Sequence, residues 1–105
     1  MRRGDVLRFK PRATVGHEQR GERFAVILQA DALLPRSVVI IAPTSTSARP
    51  ASFRPEIRVR NSTTRVLVEQ LGAVDAQRLG RAVVHLTQEE LWSVDEAILT
   101  VLGLD

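Results

Sequence analysis

The sequence predicts a mainly β (α+β) fold: a small antiparallel barrel or sandwich followed by one C-terminal helix. In the first two-thirds of the 105 residues, short runs rich in Val, Ile and Leu are bounded by Pro, Gly, Ser or Asn. The connections between these runs are too short for helical crossovers, which favours antiparallel pairing. The C-terminal segment changes to apolar residues at helical spacing.

Six segments of five to seven residues have the composition of strands. In chain order they are GDVLRF (4–9), RFAVILQ (23–29), SVVIIAP (37–43), EIRVR (56–60), RVLVEQL (65–71) and RAVVHL (81–86). EIRVR alternates apolar and charged residues, so one of its faces is expected to be exposed. SVVIIAP and FAVILQ are apolar at consecutive positions, so both of their faces are expected to be buried.

The segment TQEELWSVDEAILTVLG (87–103) predicts the C-terminal helix. Thr87, followed three residues later by Glu90, forms a capping box at its start. Gly103 can end the helix, because glycine readily adopts the backbone conformation of a helix C-cap. Apolar residues repeat between these ends at helical spacing: Leu91, Val94, Ile98 and Val101.

The remaining segments are expected to connect elements of one domain that spans residues 1–105. AVDAQRLG (73–80) predicts a turn or a short helix, and TSTSARPASFRP (44–55), with two prolines, predicts a polar loop. The chain shows no internal repeat, and its length is near the commonest domain size.

Composition excludes several classes of function. Without cysteine, the chain has no disulfide scaffold and no Cys-ligated zinc or iron–sulfur site. Its two histidines do not have the spacing of a metal site, so neither a metal nor a cofactor is expected. MRRGDVLRFK lacks the apolar core of a signal peptide, and no run approaches the roughly 20 apolar residues that span a bilayer. We therefore expect a cytoplasmic protein with no membrane partner.

Charge is unevenly distributed along the chain. Residues 1–60 contain 12 basic and 5 acidic side chains, whereas residues 61–105 contain 3 basic and 7 acidic ones. Of the 15 basic residues, 14 are arginines, whose planar guanidinium binds phosphate oxygens in pairs. A GC-rich genome would also favour arginine over lysine, but it would not produce the asymmetry. The basic N-terminal half therefore indicates a polyanionic partner.

Two polar loops, 10–22 and 44–55, and the strands beside them contain groups suited to phosphodiester chemistry without a metal ion. Cleavage of RNA by its own 2′-hydroxyl needs a base, an acid and donors for the charge that develops on the phosphate. His17, Glu18 and Glu69 are suited to proton transfer. Arg23, Thr44 and Ser45 are suited to donating hydrogen bonds to a phosphate.

Four stretches of the chain resemble, in order and spacing, the MazF/PemK family of toxin endoribonucleases. They are RRGDV, GHEQRGER leading into FAVIL, IIAPTSTS, and VLVEQLGAVDAQRLG. The resemblance covers nearly the whole chain, and its motif G-x-E-Q-x-G-x-R is quite specific. It implies the small SH3-like antiparallel β-barrel with a C-terminal helix that MazF-like and CcdB-like toxins share, and it implies a homodimer.

The resemblance also implies a biological role. The chain would be the toxin of a type II toxin–antitoxin system, an endoribonuclease that cuts single-stranded RNA at short sequences and so inhibits translation and growth. Family members need no metal and leave a 2′,3′-cyclic phosphate. The implied protein partner is a cognate MazE-like antitoxin, which lies across the dimer with a flexible acidic C-terminal tail.

The family's catalytic residues match four positions of this chain. Arg23 matches the motif arginine, which the family assigns to the scissile phosphate and to acid–base work. Thr44 matches the threonine after the third strand and would hold the same phosphate. Glu69 matches an acidic position that some members use as a base. His17 matches a loop residue that is proposed to be catalytic in some members.

RNA contacts are expected from both polar loops. Glu18 and Gln19 match family positions that contact RNA. In the second loop, Arg49, Phe53 and Arg54 would form an edge for base stacking and phosphate contact. Phe53 would alternatively anchor its loop on the barrel. The full set of expected RNA-binding residues is Glu18, Gln19, Arg20, Ser45, Arg49, Phe53 and Arg54.

Several of these residues also have simpler explanations. Arg23 at a strand start is compatible with an ion pair, Thr44 with capping of a turn, and Glu69 with hydrogen bonds that stabilise the fold. His85 is expected to be structural. Trp92 is expected in the core or in a dimer interface.

Two positions depart from the family pattern. Phe24 stands where the family usually has a proline after the motif arginine, and Leu67 stands where some members have a second arginine. Proline would fix the backbone beside Arg23. These differences leave open a non-cleaving relative that binds antitoxin or RNA, or one that inhibits DNA gyrase, because a fold does not determine function.

Overall fold

A computed structural model of the chain describes residues 1–10 and 23–105, which form seven strands and one helix. Three 3-10 turns, Asp31–Leu33, Val68–Gln70 and Ala76–Arg78, connect some of them. The elements are β1 (Asp5–Phe9), β2 (Phe24–Ile27), β3 (Val38–Ser45), β4 (Glu56–Val59), β5 (Ser62–Val66), β6 (Gly72–Asp75), β7 (Leu79–His85) and α1 (Gln88–Leu102).

The strands form one curled antiparallel sheet in the order β4-β5-β3-β2-β1-β7, with β6 also paired to β3. The long strand β3 organises it. Residues 38–41 of β3 pair with β6, residues 44–45 pair with β5, and residues 41–43 pair with β2. One strand therefore joins two parts of the sheet, which curls into a half-barrel. This confirms the predicted mainly β antiparallel fold with one C-terminal helix.

The core lies on both faces of the inner strands. In β2, Ala25, Val26 and Ile27 are all completely buried, as the apolar run predicted. Because side chains of a strand alternate between its faces, Val26 joins one core cluster and its two neighbours join the other. The helix contributes Val94 and Ala97 to the cluster of Val26.

The capping box at the start of α1 is confirmed. Thr87 Oγ1 accepts a hydrogen bond from the backbone N–H of Glu90 at 3.2 Å, and Glu90 Oε1 accepts one from the backbone N–H of Thr87 at 2.9 Å. Glu90 Oε2 also accepts from the backbone N–H of Arg58 at 2.8 Å, which attaches the helix start to β4. Gly103 ends the helix with a φ of 70°. Within the described residues no helix is both long and apolar enough to cross a membrane.

The N-terminal RRGD stretch fastens β1 to β7 and to the helix. Gly4 has a φ of +92°, and a Cβ there would lie 3.0 Å from both His85 Cε1 and Leu91 Cδ2. The next residue, Asp5, is buried and lies 2.9 Å through Oδ1 from His85 Nδ1. Arg3 donates from Nη2 to the Asp95 carboxylate at 2.6 Å. The stretch therefore has a structural role, and His85 takes part in it.

Three sequence predictions were wrong in detail. In β3, Val38 and Ile40 are 51% and 41% exposed, because no other described element covers the outer face of the β3–β6 pair. The predicted strand 65–71 ends at Val66, where pairing with β3 stops and a 3-10 turn follows. The segment 73–80, predicted as a turn or a short helix, contains the 3-10 helix Ala76–Arg78, but β6 covers 72–75 before it and β7 begins at Leu79 after it. Backbone pairing of β6 with β3 and of β7 with β1 makes these flanking residues strands, and no local pattern encodes this pairing.

Candidate functional site

A cleft of about 220 Å³ lies where β2, β3 and β5 meet. Arg23, directly before β2, lines it together with Thr44 and Ser45 at the end of β3. The β2–β3 register pairs Ala25 with Pro43, which brings Thr44 beside Phe24, and the Thr44 hydroxyl donates to the Phe24 carbonyl at 3.3 Å. Three residues predicted to bind phosphate therefore share one cleft.

We call this cleft the Arg23 cleft. Its lining combines one cationic side chain, Arg23, with several hydroxyl groups that can donate hydrogen bonds. No carboxylate occurs among its described lining residues. Ser45 and Ser47 are joined through their hydroxyls at 3.2 Å, and this contact orders the strand end. Such a surface matches an anion with several oxygens, such as a phosphodiester. Six hydroxyl side chains line the cleft: Thr44, Ser45, Thr46, Ser47, Ser62 and Thr64.

The guanidinium of Arg23 has no ion-pair partner between residues 1 and 10 or 23 and 105. The simpler interpretation, that Arg23 forms an ion pair at the start of a strand, therefore has no carboxylate partner among these residues. Its backbone carbonyl accepts from the N–H of Phe9 at 2.9 Å, which fixes the start of β2 against β1. The backbone of Arg23 is thus held while its side chain faces the cleft.

Sequence reasoning missed Thr64. This residue is only 5% exposed, it lines the Arg23 cleft, and its Oγ1 has no hydrogen-bond partner within the described residues. The available signal is the inward position of a hydroxyl residue in β5, where the next inward residue is the apolar Val66. A buried hydroxyl without a partner is uncommon in folded proteins.

Glu69 and Arg54 form a second cluster, and neither residue lines the Arg23 cleft. Arg54 Nε and Nη2 lie 2.6 Å and 2.5 Å from Glu69 Oε2. Arg54 Nη1 donates to the Arg49 carbonyl at 3.2 Å. Phe53, whose ring centroid lies 5.5 Å from the Arg54 guanidinium, also packs against the core. The structure thus brings these four predicted residues together, but apart from Arg23 and Thr44.

Four predicted site residues, His17, Glu18, Gln19 and Arg20, lie outside the described residues. The two departures from the family pattern have clear positions. Phe24 lines the Arg23 cleft and packs against the core, and Leu67 is 8% exposed. Trp92 is 60% exposed, so it does not belong to the core. The described residues include no group of three or more His, Cys, Asp or Glu side chains suited to a metal ion.

The curled half-barrel with its C-terminal helix is the fold of MazF toxins. The toxin MazF-mt6 of Mycobacterium tuberculosis aligns with a TM-score of 0.77 and 19% identity, over 96% of this chain and 98% of that one. A mycobacterial endoribonuclease solved in complex with its cognate antitoxin aligns with a TM-score of 0.80 and 20% identity, over 100% and 97% of the two chains.

Residues 2–102 match the model of the PemK-like, MazF-like toxins of type II toxin–antitoxin systems, so the chain belongs to this family. A candidate toxin of Mycobacterium tuberculosis, Rv3098A, is 43% identical over 90 residues, which are 85% of this chain and 84% of that protein. The expected family is therefore confirmed.

Proposed function

We propose that this toxin is a metal-independent, sequence-specific endoribonuclease that cleaves single-stranded RNA and leaves a 2′,3′-cyclic phosphate. The observation that carries the proposal is the Arg23 cleft, in which a guanidinium that has no carboxylate partner among residues 1–10 and 23–105 lies beside hydroxyl donors. The structural relatives described as endoribonucleases support the same activity. Cleavage of cellular RNA would inhibit translation and growth in the cytoplasm.

The proposed reaction uses the nucleophile that RNA itself supplies. The 2′-oxygen attacks the adjacent phosphorus and forms the cyclic phosphate, while the bond from phosphorus to the 5′-oxygen breaks. Arg23 would bind the non-bridging oxygens and stabilise the charge that develops on them. Thr44 would exchange its 3.3 Å hydrogen bond to the Phe24 carbonyl for one to the phosphate. Ser45 would add a donor at the same edge of the cleft.

Proton transfer is assigned to the loop around His17, to Arg23, or to Glu69. The described contacts of Glu69 favour a supporting role. Oε2 accepts a hydrogen bond from Arg54 Nε and forms an ion pair with Arg54 Nη2, and Oε1 is buried. A base must reach the proton that it removes. We therefore propose that His17 and Arg23 exchange protons with RNA, one accepting the proton of the 2′-hydroxyl and the other donating a proton to the leaving 5′-oxygen. Glu69 would position the 46–55 loop through Arg54.

Cleavage of a long single-stranded RNA in excess EDTA tests this function. The wild-type protein should cut at a short recurring sequence and leave 5′-hydroxyl ends, and Arg23→Ala should abolish cutting. Arg58→Ala is the matched control, because Arg58 is an exposed arginine that does not line the Arg23 cleft. Equal cutting by the Arg23→Ala protein would remove Arg23 from the mechanism, and no cutting by the wild type would reject the activity.

A non-cleaving relative is the second candidate, and the buried Leu67 favours it. A second arginine, which some family members use, is absent at that position. Such a protein would bind antitoxin or RNA, or inhibit DNA gyrase, without cutting RNA. A gyrase supercoiling assay run beside the RNA assay separates the two candidates, because only the gyrase inhibitor would lower supercoiling.

We also propose two protein partners. One is a cognate MazE-like antitoxin, supported by relatives solved in complex with an antitoxin, including MazE–MazF of Deinococcus radiodurans. Its acidic tail would be attracted to the basic N-terminal half of this chain. The other partner is a second copy of the chain, which would cover exposed apolar side chains such as Ile40.

A further inference from the structure

A second cleft, of about 340 Å³, begins on the other side of Arg23. The ends of β1 and β7 and the 3-10 turn Ala76–Arg78 form it. Arg23 lines both clefts, so the two adjoin at this residue. Four basic residues and no acidic residue occur among the described residues that line the second cleft; the basic ones are Arg8, Lys10, Arg23 and Arg78.

Arg78 is held in place by the cleft wall. Its Nε donates to the Lys10 carbonyl at 2.8 Å, and its guanidinium lies 4.9 Å from the centroid of the Phe9 ring. These contacts use the inner edge and one face of the guanidinium. Within the described residues its two terminal nitrogens have no hydrogen-bond partner. Arg78 is thus a pre-oriented fork whose free edge matches the spacing of two phosphate oxygens.

The cleft can form because β7 approaches β1 closely at Gly80. A Cβ at this position would lie 3.2 Å from Arg8 Cβ, closer than ordinary packing allows. The close approach holds the Arg78 turn beside the end of β1. Cations from three separate parts of the chain therefore converge on one short path that leads away from Arg23.

We propose that the second cleft, here called the Arg78 cleft, binds a backbone phosphate of the RNA next to the scissile one. The inference rests on the proposed function, because it takes the phosphate at Arg23 as its starting point. A bound single strand would place one phosphate at Arg23 and a neighbouring phosphate at Arg78. The cations in the described lining of the cleft, together with the oriented fork of Arg78, favour a phosphodiester over the carboxylates of an acidic peptide.

The test measures binding of an RNA dodecamer that is centred on the mapped cleavage sequence and has a 2′-deoxy nucleotide at the scissile position to prevent cutting. In a series of such oligonucleotides, one flanking phosphate at a time is replaced by a neutral methylphosphonate. Wild-type protein should lose about tenfold in affinity at one flanking position. The Arg78→Gln protein should bind the unmodified RNA about tenfold more weakly than the wild type does. Replacing the phosphate at that flanking position should not weaken the binding of Arg78→Gln any further. The slope of log affinity against log salt concentration should be smaller in magnitude by about 0.7 for Arg78→Gln than for the wild type.

Controls separate this role from a structural one. Arg58→Gln, an exposed arginine outside both clefts, should leave affinity and salt slope unchanged. Equal losses for Arg58→Gln and Arg78→Gln would overturn the proposal, since they would reflect general charge. An Arg78→Gln loss that is equal across the whole methylphosphonate series, with a lowered melting temperature, would assign Arg78 to the fold instead.

Three further outcomes are decisive. Unchanged RNA affinity of Arg78→Gln with weakened binding of the cognate antitoxin would assign the Arg78 cleft to an acidic peptide and overturn the proposal. Wild-type protein that neither cuts nor binds RNA would reject the proposed function and this inference together. Wild-type cleavage with an unaffected Arg78→Gln protein would reject the inference alone.

Discussion

Arg54 forms an ion pair with Glu69 through two nitrogens, Nε and Nη2, which lie 2.6 Å and 2.5 Å from the same carboxylate oxygen, Oε2. Both side chains are only 26% exposed, so the pair lies partly out of solvent. The remaining nitrogen of Arg54 donates to the Arg49 carbonyl at 3.2 Å. The pair thus ties the 46–55 loop to the 3-10 turn Val68–Gln70, and this tie predicts how both residues respond to substitution.

Glu69→Gln should lower the free energy of unfolding by about 1 kcal/mol, because the half-buried Arg54 loses its charged partner. Arg54→Gln should have a similar effect, and the double variant should cost less than the two single changes together. Urea unfolding of the four proteins measures this coupling.

RNA cleavage by Glu69→Gln should stay within about tenfold of wild type. A loss above about 100-fold with a missing acid limb of the pH–rate profile would instead assign Glu69 as the base.

Thr64→Val should leave the free energy of unfolding unchanged or raise it by up to about 1 kcal/mol, because a buried hydroxyl without a partner within the described residues is removed. Thr64→Ser, the matched control, keeps the hydroxyl but loses a buried methyl group and should cost about 1 kcal/mol. Thermal and urea unfolding compare the two variants. A large loss for the valine variant would mean that the Thr64 hydroxyl has a stabilising partner in solution.

Gly4→Ala should lower the free energy of unfolding by about 1–3 kcal/mol, since a side chain at φ +92° is strained and its Cβ would meet His85 and Leu91 at 3.0 Å. Gly72→Ala is the control, because a Cβ there would approach only the Gln70 carbonyl oxygen, at 4.0 Å. Melting temperatures of the two variants test the difference. Equal melting temperatures would contradict a structural role of Gly4.

Ile40→Lys should convert a dimer to a monomer. Ile40 and Val38 lie on the same exposed face of β3, and β2 and β6 hold the backbone of this strand from either side, so the patch is rigid. Light scattering should give the mass of two wild-type chains and of one Ile40→Lys chain. Trp92→Lys tests the other predicted interface, on the exposed helix face, and should remain dimeric if β3 forms the interface. A dimeric Ile40→Lys protein would place the interface elsewhere.

Elements that are determined by interactions between residues close in the sequence were predicted correctly, and elements that depend on residues far apart in the sequence were not. The helix was predicted to within a residue because Thr87, Glu90 and Gly103 act within one helical turn of its ends. Strand β4 was predicted because alternation along Glu56–Val59 reports a single exposed face. Strand β6 was missed because Gly72–Asp75 becomes a strand only through its register with β3. The exposure of Ile40 was missed for the same reason, since covering a strand face requires another element.

For the candidate site, the sequence by itself determined the family, the basic N-terminal half, and the choice of Arg23 and Thr44 as phosphate-binding residues. These properties depend on residue identity and spacing along the chain, and a sequence records both. Only the tertiary structure decided that Arg23 and Thr44 share a cleft, and that Arg78 lines a second cleft with Arg23. It also decided that Arg54 forms an ion pair with Glu69. The physical reason is that strand pairing and the curl of the sheet create these contacts between residues far apart in the sequence.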